Sequence, residues 1–302
     1  MNQQILVTGA TGMVGRQLVA TLQQMGYGIS ILSRRKTTLA NVKVFLWDIY
    51  KQQIDTACME GIDTIIHLAG EPIADKKWTK ERKQQIIDSR VLSTQLLYKA
   101  IRERGASVKN FISASAVGYY GNRGDEILTE TSAPGQGFMA HCCKAWEDAV
   151  DEGDSLQLRI AKFRIGFILA RKDGALASLD KPIRFFVGAA LGSGQQWIPW
   201  VHIDDIVEMF VKAIGDQSYQ GAYNACAPYP VTNTTLTKAV ARVLNRPVWP
   251  IKVPEVVLEM ILGKMSDVVT LSTNTSAQKL LDAGFIFKYT HLENALNDIY
   301  RK

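Results

Sequence analysis

The sequence predicts an α/β protein: a doubly wound parallel sheet followed by a smaller, mainly helical C-terminal substrate-side region. Three observations lead there. A glycine-spaced turn, GATGMVG, joins the first apolar run to the first helical pattern. Short apolar runs then alternate with helical patterns through roughly the first 170 residues, as helices covering both faces of a parallel sheet require. Beyond that point the alternation gives way to helical segments. This places one unit over residues 1–170, with residues 198–226 returning to it, and a smaller region over 171–197 and 227–302.

The elements follow in order. QQILVTG is an apolar run ending in glycine, the mark of a buried strand. MVGRQLVATLQQMGY carries Val14, Leu18 and Leu22 at helical spacing and stops at Gly26. GISILSRR, KVFLWD and DTIIHLAG supply the second, third and fourth strands. Residues 79–105 predict a long amphipathic helix with Thr79 as N-cap. KNFISASAVG is the fifth strand and LQLRIAKFRIGFIL the sixth. GALASLDKPIRFFVG predicts a helix over the ligand side. WIPWVHIDDIVEMFVKAIG predicts a strand and a helix returning to the sheet. VTNTTLTKAVARVLNRP, PEVVLEMILGK and NTSAQKLLDAGF predict three more helices. Trp197 and Trp200 lie where they would contact a substrate or pack, and packing is the simpler expectation.

Composition excludes several classes. The chain has 302 residues, 47% of them hydrophobic, with no low-complexity tract. No apolar run approaches the ~20 residues of a membrane span. MNQQILVTGATG lacks the basic start of a signal peptide, so a cytoplasmic location is expected. Four cysteines, Cys58, Cys142, Cys143 and Cys226, form no C-x-x-C pair, against both a zinc motif and a disulfide framework. The formal charge is +6, and its densest run, DKKWTKERK at 75–83, reads as a solvated helix face without any nucleic-acid motif. The expected partner is a small molecule, neither nucleic acid nor membrane.

The first turn is the most specific signal. Gly9 permits a tight turn, Gly12 lets the backbone approach a pyrophosphate at a helix N-terminus, and Gly15 allows close packing of the helix. Thr11, Met13 and Val14 complete the expected cradle. No Gly-Lys-Ser/Thr follows, so it is not a Walker A loop. The end of the second strand reads Ser33, Arg34, Arg35, with no carboxylate for a ribose 2′-hydroxyl. Two guanidinium groups there suit a 2′-phosphate and therefore NADP(H); two ordinary surface arginines are the alternative. Asp48, after the third strand, is expected to reach the adenine. Leu68, Ala69 and Gly70, after the fourth, are expected to pass the cofactor's phosphates and ribose.

Five stretches, GATGMVG, EPIADKKWTKERKQQIIDSRV, SASAVGYYGNRGDEILTE, GSGQQWIPWVHIDD and KLLDAGFIFKY, are spread in order along nearly the whole chain, from residue 9 to residue 289. In these the sequence resembles an atypical extended short-chain dehydrogenase/reductase of the "epimerase family protein" branch, with a small C-terminal domain of unknown function. The resemblance implies a Rossmann nucleotide-binding domain. It further implies a catalytic serine at Ser115, with Ser113 on the same side of the strand, and a cofactor-holding lysine at Lys144. The tyrosine due four residues before that lysine is Ala140, and an asparagine of the long helix is Arg90.

The stretch MAHCCK therefore looks like Tyr-x-x-x-Lys without its tyrosine. Other readings remain. His141, Cys142 and Cys143 are consecutive and fan out by about 100° each on a helix, so they cannot chelate one metal together. A thiol nucleophile needs an accessible, low-pKa cysteine. His141, on the face of Lys144, and Tyr119 or Tyr120, at the end of the fifth strand, are candidate substitute acids. The expected function is an NADP(H)-dependent oxidoreductase or epimerase-like enzyme acting on a small carbonyl or hydroxyl substrate. A non-catalytic NADP(H)-binding protein is the alternative.

Overall fold

A computed structural model describes residues 3–171 and 174–301. The chain opens with β1 (Gln4–Thr8), α1 (Met13–Gln24), β2 (Gly28–Ser33), β3 (Lys43–Asp48), the short β4 (Gln53–Ile54), β5 (Thr64–His67), α2 (Lys80–Arg104) and β6 (Asn110–Ala116). Next come β7 (Ile127–Leu128), α3 (Phe138–Asp151), β8 (Arg159–Ile165), β9 (Phe167–Leu169) and α4 (Ala175–Arg184). The remainder comprises β10 (Trp197–Ile198), β11 (Trp200–His202), α5 (Ile203–Gly215), β12 (Gly221–Ala225), β13 (Val231–Thr232), α6 (Asn233–Leu244), α7 (Glu255–Leu262), α8 (Ser266–Thr270), β14 (Asn274–Thr275), α9 (Gln278–Asp282) and α10 (Leu292–Arg301).

Eight strands form one sheet in the order β12-β8-β6-β5-β1-β2-β3-β4, parallel except for the β3–β4 pair. Strand β1 lies centrally. The chain builds outward from it through β2 and β3, then crosses to β5 and builds the other way. The crevice beyond the carboxyl ends of β1 and β5 is thus a topological switch point, where sheets of this kind bind ligands. Helices cover both faces, so the central strands are buried throughout: every residue of β5 is buried, and six of the seven in β6.

Helix α2 begins as its sequence dictates, with the Thr79 hydroxyl accepting the Arg82 N–H at 3.1 Å. Its inner face departs from the expected apolar stripe. Alongside Ile86, Leu96 and Leu97 it buries Arg82, Ser89, Arg90, Ser93 and Thr94. The basic run that opens this helix is correspondingly not all solvated: Trp78 and Arg82 are buried, and the Lys83 ammonium lies over the Trp78 and Phe138 rings.

The expected sixth strand is two strands in different sheets. β8 runs in the main sheet, while β9 pairs in parallel with β11. The switch falls at Gly166, where a side chain would come within 2.4 Å of the Pro199 carbonyl oxygen. Only a residue without Cβ lets these strands approach so closely. Beyond the switch a second core gathers Leu169, Leu176, Trp200, Leu236, Val240 and Leu296 from α4, α6, α10 and the β9–β11 pair. Trp200 is wholly buried there, its indole N–H donating to the Tyr229 carbonyl at 2.9 Å. Within 198–226, α5 and β12 belong to the main sheet's layers, whereas β11 pairs with β9 outside that sheet and is shared, with Val201 in the main core and Trp200 in the second. The C-terminal stretch is divided too: Ala277, Leu280, Phe285 and Phe287 pack into the main core.

Candidate functional site

The turn after β1 is shaped by contacts that exclude side chains. Gly9 has φ of +69°, and a Cβ there would lie 2.7 Å from the Leu68 carbonyl. A Cβ on Gly15 would lie 2.2 Å from the Gly9 carbonyl oxygen, so this glycine brings the first turn of α1 against the loop itself. Gly12 differs: a Cβ would meet only the Gly9 oxygen, at 3.2 Å, with open space beyond. Gly12 is also the N-cap of α1, which among the described residues receives no side-chain cap and has no acidic residue in its first turn. The unpaired amides and the positive end of the helix dipole are left for an anion.

This helix end opens on a cavity of about 620 Å³. Gly9, Thr11 and Gly12 form one side of it. Ser33, Arg34 and Arg35 bound it at the end of β2, and Leu68, Ala69 and Gly70 at the end of β5. Met13, Val14 and Gly15 stand behind the lining, in the first turn of α1. Asp48 is not part of the lining. Its Oδ1 accepts the N–H groups of Tyr50 and Lys51, both at 3.1 Å, so it shapes the following turn, and its neighbours Trp47 and Ile49 line the cavity instead.

A buried hydrogen-bond chain fixes the loop after β5. The Thr8 hydroxyl accepts the N–H groups of Leu68 and Ala69, both at 3.2 Å, and lies 2.7 Å from His67 Nδ1. With both acceptor positions used, Thr8 donates to Nδ1, which puts the imidazole proton on Nε2. Nε2 then donates to Ser93 Oγ at 3.1 Å, and Ser93 donates to the Arg90 carbonyl at 3.0 Å. Burial, aided by the nearby Arg90 charge, pushes His67 down to about 3, so it stays neutral and keeps this tautomer. Arg90 lies directly beneath the loop. A Cβ on Gly70 would be 3.0 Å from its guanidinium carbon, which stacks 5.0 Å from the Trp146 ring. The large cation standing where the resemblance implies an asparagine is therefore accommodated by a glycine above it.

Glu71, which follows this loop, was not singled out by the sequence, yet it joins both walls. Its Oε1 accepts Arg34 Nη1 at 2.5 Å and its Oε2 accepts Arg82 Nη1 at 3.0 Å. Partial burial raises its pKa, but the Arg82 and Arg34 hydrogen bonds outweigh this and hold it below the ordinary glutamate value.

The end of β6 is organised differently. Ser115 donates to Glu147 Oε1 at 2.6 Å. Arg164, from β8, grips the same carboxylate with two parallel bonds, Nε–Oε1 at 2.8 Å and Nη2–Oε2 at 2.9 Å. Its Nη1 donates to the Tyr120 hydroxyl at 2.8 Å, and Tyr120 donates to Asn224 Oδ1 at 2.6 Å. Asn224 in turn donates to the carbonyls of Leu128 and Ser276. All these side chains are buried. Burial pushes the Tyr120 phenol up, and burial likewise opposes the Glu147 charge, but the Arg164 bonds keep Glu147 ionised, below its usual range. Tyr119 is partly buried, its ring 3.6 Å from the Arg164 guanidinium.

Helix α3 carries the stretch MAHCCK. Lys144 is half exposed and donates to Asp148 Oδ2 at 2.6 Å on its own helix; it is not among the residues lining the cavity. The side of α3 that faces inward carries Met139, Ala140, Cys142, Cys143 and Glu147, while His141 is exposed beside Lys144. Lys144 shares its helix face with the buried Ala140 and Glu147 and is close enough to Tyr119 to interact with it electrostatically. Burial pushes the Cys142 and Cys143 thiols above their ordinary value, which opposes a thiolate nucleophile. His202, Asp204 and Asp298 also come together, with ligand-type atoms within 4.8 Å of one another. There Asp204 is charge-paired with Lys288 Nζ at 2.7 Å and accepts the Gln17 amide at 2.7 Å.

Residues 5–141 match the NAD dependent epimerase/dehydratase family, and residues 253–299 match a domain of unknown function, DUF1731. The chain is 34% identical to the "Epimerase family protein SDR39U1 homolog, chloroplastic" of Arabidopsis thaliana, over 98% of its own length and 86% of the relative's. It is equally 34% identical to an epimerase family protein of Staphylococcus aureus (strain MRSA252), over 99% and 100%. Among solved structures, human epimerase family protein SDR39U1, isoform 2, with NADPH superposes with a TM-score of 0.87 at 25% identity, covering 99% of this chain and 100% of that one. A nucleoside-diphosphate sugar epimerase from Corynebacterium glutamicum superposes with a TM-score of 0.81 at 31% identity, covering all of this chain and 59% of that longer one. A glycine-built switch-point cleft and full-length similarity lead to one conclusion: the chain belongs to the NAD dependent epimerase/dehydratase family, among the SDR39U1-like epimerase family proteins.

Proposed function

We propose that this protein binds NADP(H) in the cleft after β1 and uses it as an oxidoreductase or epimerase-like enzyme on a small carbonyl or hydroxyl substrate. The observation that carries the reading is the uncapped N-terminus of α1 opening on the same cavity as Arg34 and Arg35. The backbone of 9–12 would hold the pyrophosphate, and the arginines the 2′-phosphate. Leu68 and Ala69, held by Thr8, and Gly70 after them would flank the central part of the cofactor. When bound, the nicotinamide supplies hydride transfer, and the protein supplies orientation and a proton. Human SDR39U1, solved with NADPH, supports the choice of cofactor.

The proton donor in this reading is Tyr119. Ser115 and Tyr120 have their hydroxyls committed to Glu147 and Asn224, whereas Tyr119 sits at the same strand end with its ring on Arg164. A second reading, cofactor binding without turnover, is favoured by that same commitment. Fluorescence titration with NADPH, beside NADPH oxidation against a panel of small carbonyl compounds, separates them. Turnover that Tyr119→Phe reduces a hundredfold supports the first. Tight binding with no turnover on any carbonyl supports the second, and no binding of NADPH rejects both.

A further inference from the structure

Arg34 and Glu71 meet from opposite walls of the cofactor cleft, and they are unequal in freedom. Glu71 is anchored. Its Oε2 is held by Arg82, its N–H donates to Ser89 Oγ at 2.9 Å, and its carbonyl accepts Arg90 Nη1 at 3.2 Å. Arg82 is itself fixed, donating to the Pro72 carbonyl at 2.6 Å with its side chain only 7% exposed. Arg34 is 69% exposed and follows the last residue of β2 on a long stem. The carboxylate is the stationary partner and the guanidinium the movable one.

We infer that Glu71 sets the cofactor discrimination of this site by competing with the 2′-phosphate for Arg34. The inference rests on the NADP(H) reading above. A phosphate monoester carries close to two negative charges near neutral pH and three acceptor oxygens, so it can take Arg34 from a single carboxylate. Glu71 cannot follow, because Arg82, Ser89 and Arg90 hold it to α2. The exchange therefore costs the Arg34–Glu71 pair. A 2′-hydroxyl brings no charge and leaves the pair closed, so the cost falls on NADP(H) alone. Glu71 keeps discrimination below what Arg34 and Arg35 would impose unopposed, and holds Arg34 across the cleft until a phosphorylated nucleotide arrives.

The test uses the full chain and four probes: NADPH, NADH, adenosine 2′,5′-bisphosphate and 5′-AMP. In Glu71→Gln, affinity for the two 2′-phosphorylated probes should rise about threefold to fivefold, the range an exposed ion pair allows. Affinity for the other two should stay within twofold. The gain should shrink as salt screens the pair, and Glu71→Gln should add nothing in an Arg34→Ala background. Equal wild-type affinity for phosphorylated and unphosphorylated probes overturns the NADP(H) reading itself. A wild-type preference that Glu71→Gln leaves unchanged or lowers, in protein of unaltered melting temperature, overturns the role of Glu71 while sparing that reading.

Discussion

The turn after β1 and the region after β6 lie on the same edge of one sheet, and they treat polar groups in opposite ways. After β1 the donors are backbone amides at an uncapped helix end, and the nearest side chains have been removed by glycine. After β6 the donors and acceptors are side chains, and each is used by another: Ser115 by Glu147, Glu147 by Arg164, Arg164 by Tyr120, Tyr120 by Asn224. Unspent hydrogen-bonding capacity beside a cavity marks a place for a ligand. Capacity satisfied internally marks a joint. The joint here fastens β6, β8, α3 and β12 to the segments around Leu128 and Ser276.

The contrast can be broken first at Glu147. Removing one partner of a buried ion pair costs about 3–5 kcal/mol, so Glu147→Ala should lose that much in denaturant unfolding at pH 7 while the folded fraction still binds cofactor. A loss under ~1 kcal/mol would mean that the network is not structural. The sign with pH is set by the depressed pKa of Glu147. Its contribution is present above the ordinary value of 4.5 and is lost as pH falls through the lower folded value. Wild-type stability should therefore decline below pH 4.5 more steeply than that of Glu147→Gln.

At the other pole, Gly12→Val should lower cofactor affinity at least about a hundredfold, since its side chain would occupy the space the pyrophosphate needs. The empty protein should remain folded by circular dichroism, because a Cβ at this position meets only one atom, at 3.2 Å. Tight binding by the variant would move the phosphates elsewhere. Replacing Arg34 and Arg35 together with alanine should remove most of the preference for NADP over NAD, about thirtyfold or ~2 kcal/mol if one arginine binds in bidentate fashion. Equal native affinities would contradict the reading. The smallest effect is expected at Lys144. Its side chain is half exposed and its ammonium is paired within its own helix, so Lys144→Ala should change cofactor affinity less than twofold; a tenfold loss would place that ammonium on the bound cofactor.

How far the sequence could be followed depends on how local the information was. Gly9, Gly12 and Gly15 announce the phosphate turn because each requirement is a backbone one, met within seven residues. Thr79 announces the start of α2 because capping spans three residues. The lack of a carboxylate at Ser33-Arg34-Arg35 can be seen directly, but Glu71 reaching back to Arg34 cannot, since that pairing joins strands separated by 37 positions. The spacing in MAHCCK locates Lys144 but not the direction in which it points. The rotation of α3 is decided by what the helix buries: Met139, Ala140, Cys142, Trp146 and Glu147 face inward, and Lys144, between Ala140 and Glu147, is left at the border with half its side chain covered.

The parallel sheet, its crevice and the glycine cradle are written in the amino-acid order, because hydrophobic period, helix caps and the absence of Cβ act over a few residues. Long-range packing sets the division of one apolar run between two sheets at Gly166, and the row of polar side chains that α2 buries against the cleft. Packing also gives Ser115 to Glu147, while Asp48 accepts the N–H groups of its own turn. A polar side chain takes whichever partner leaves it satisfied once water is excluded, and that partner is named by the packing of distant segments rather than by its neighbours in the chain.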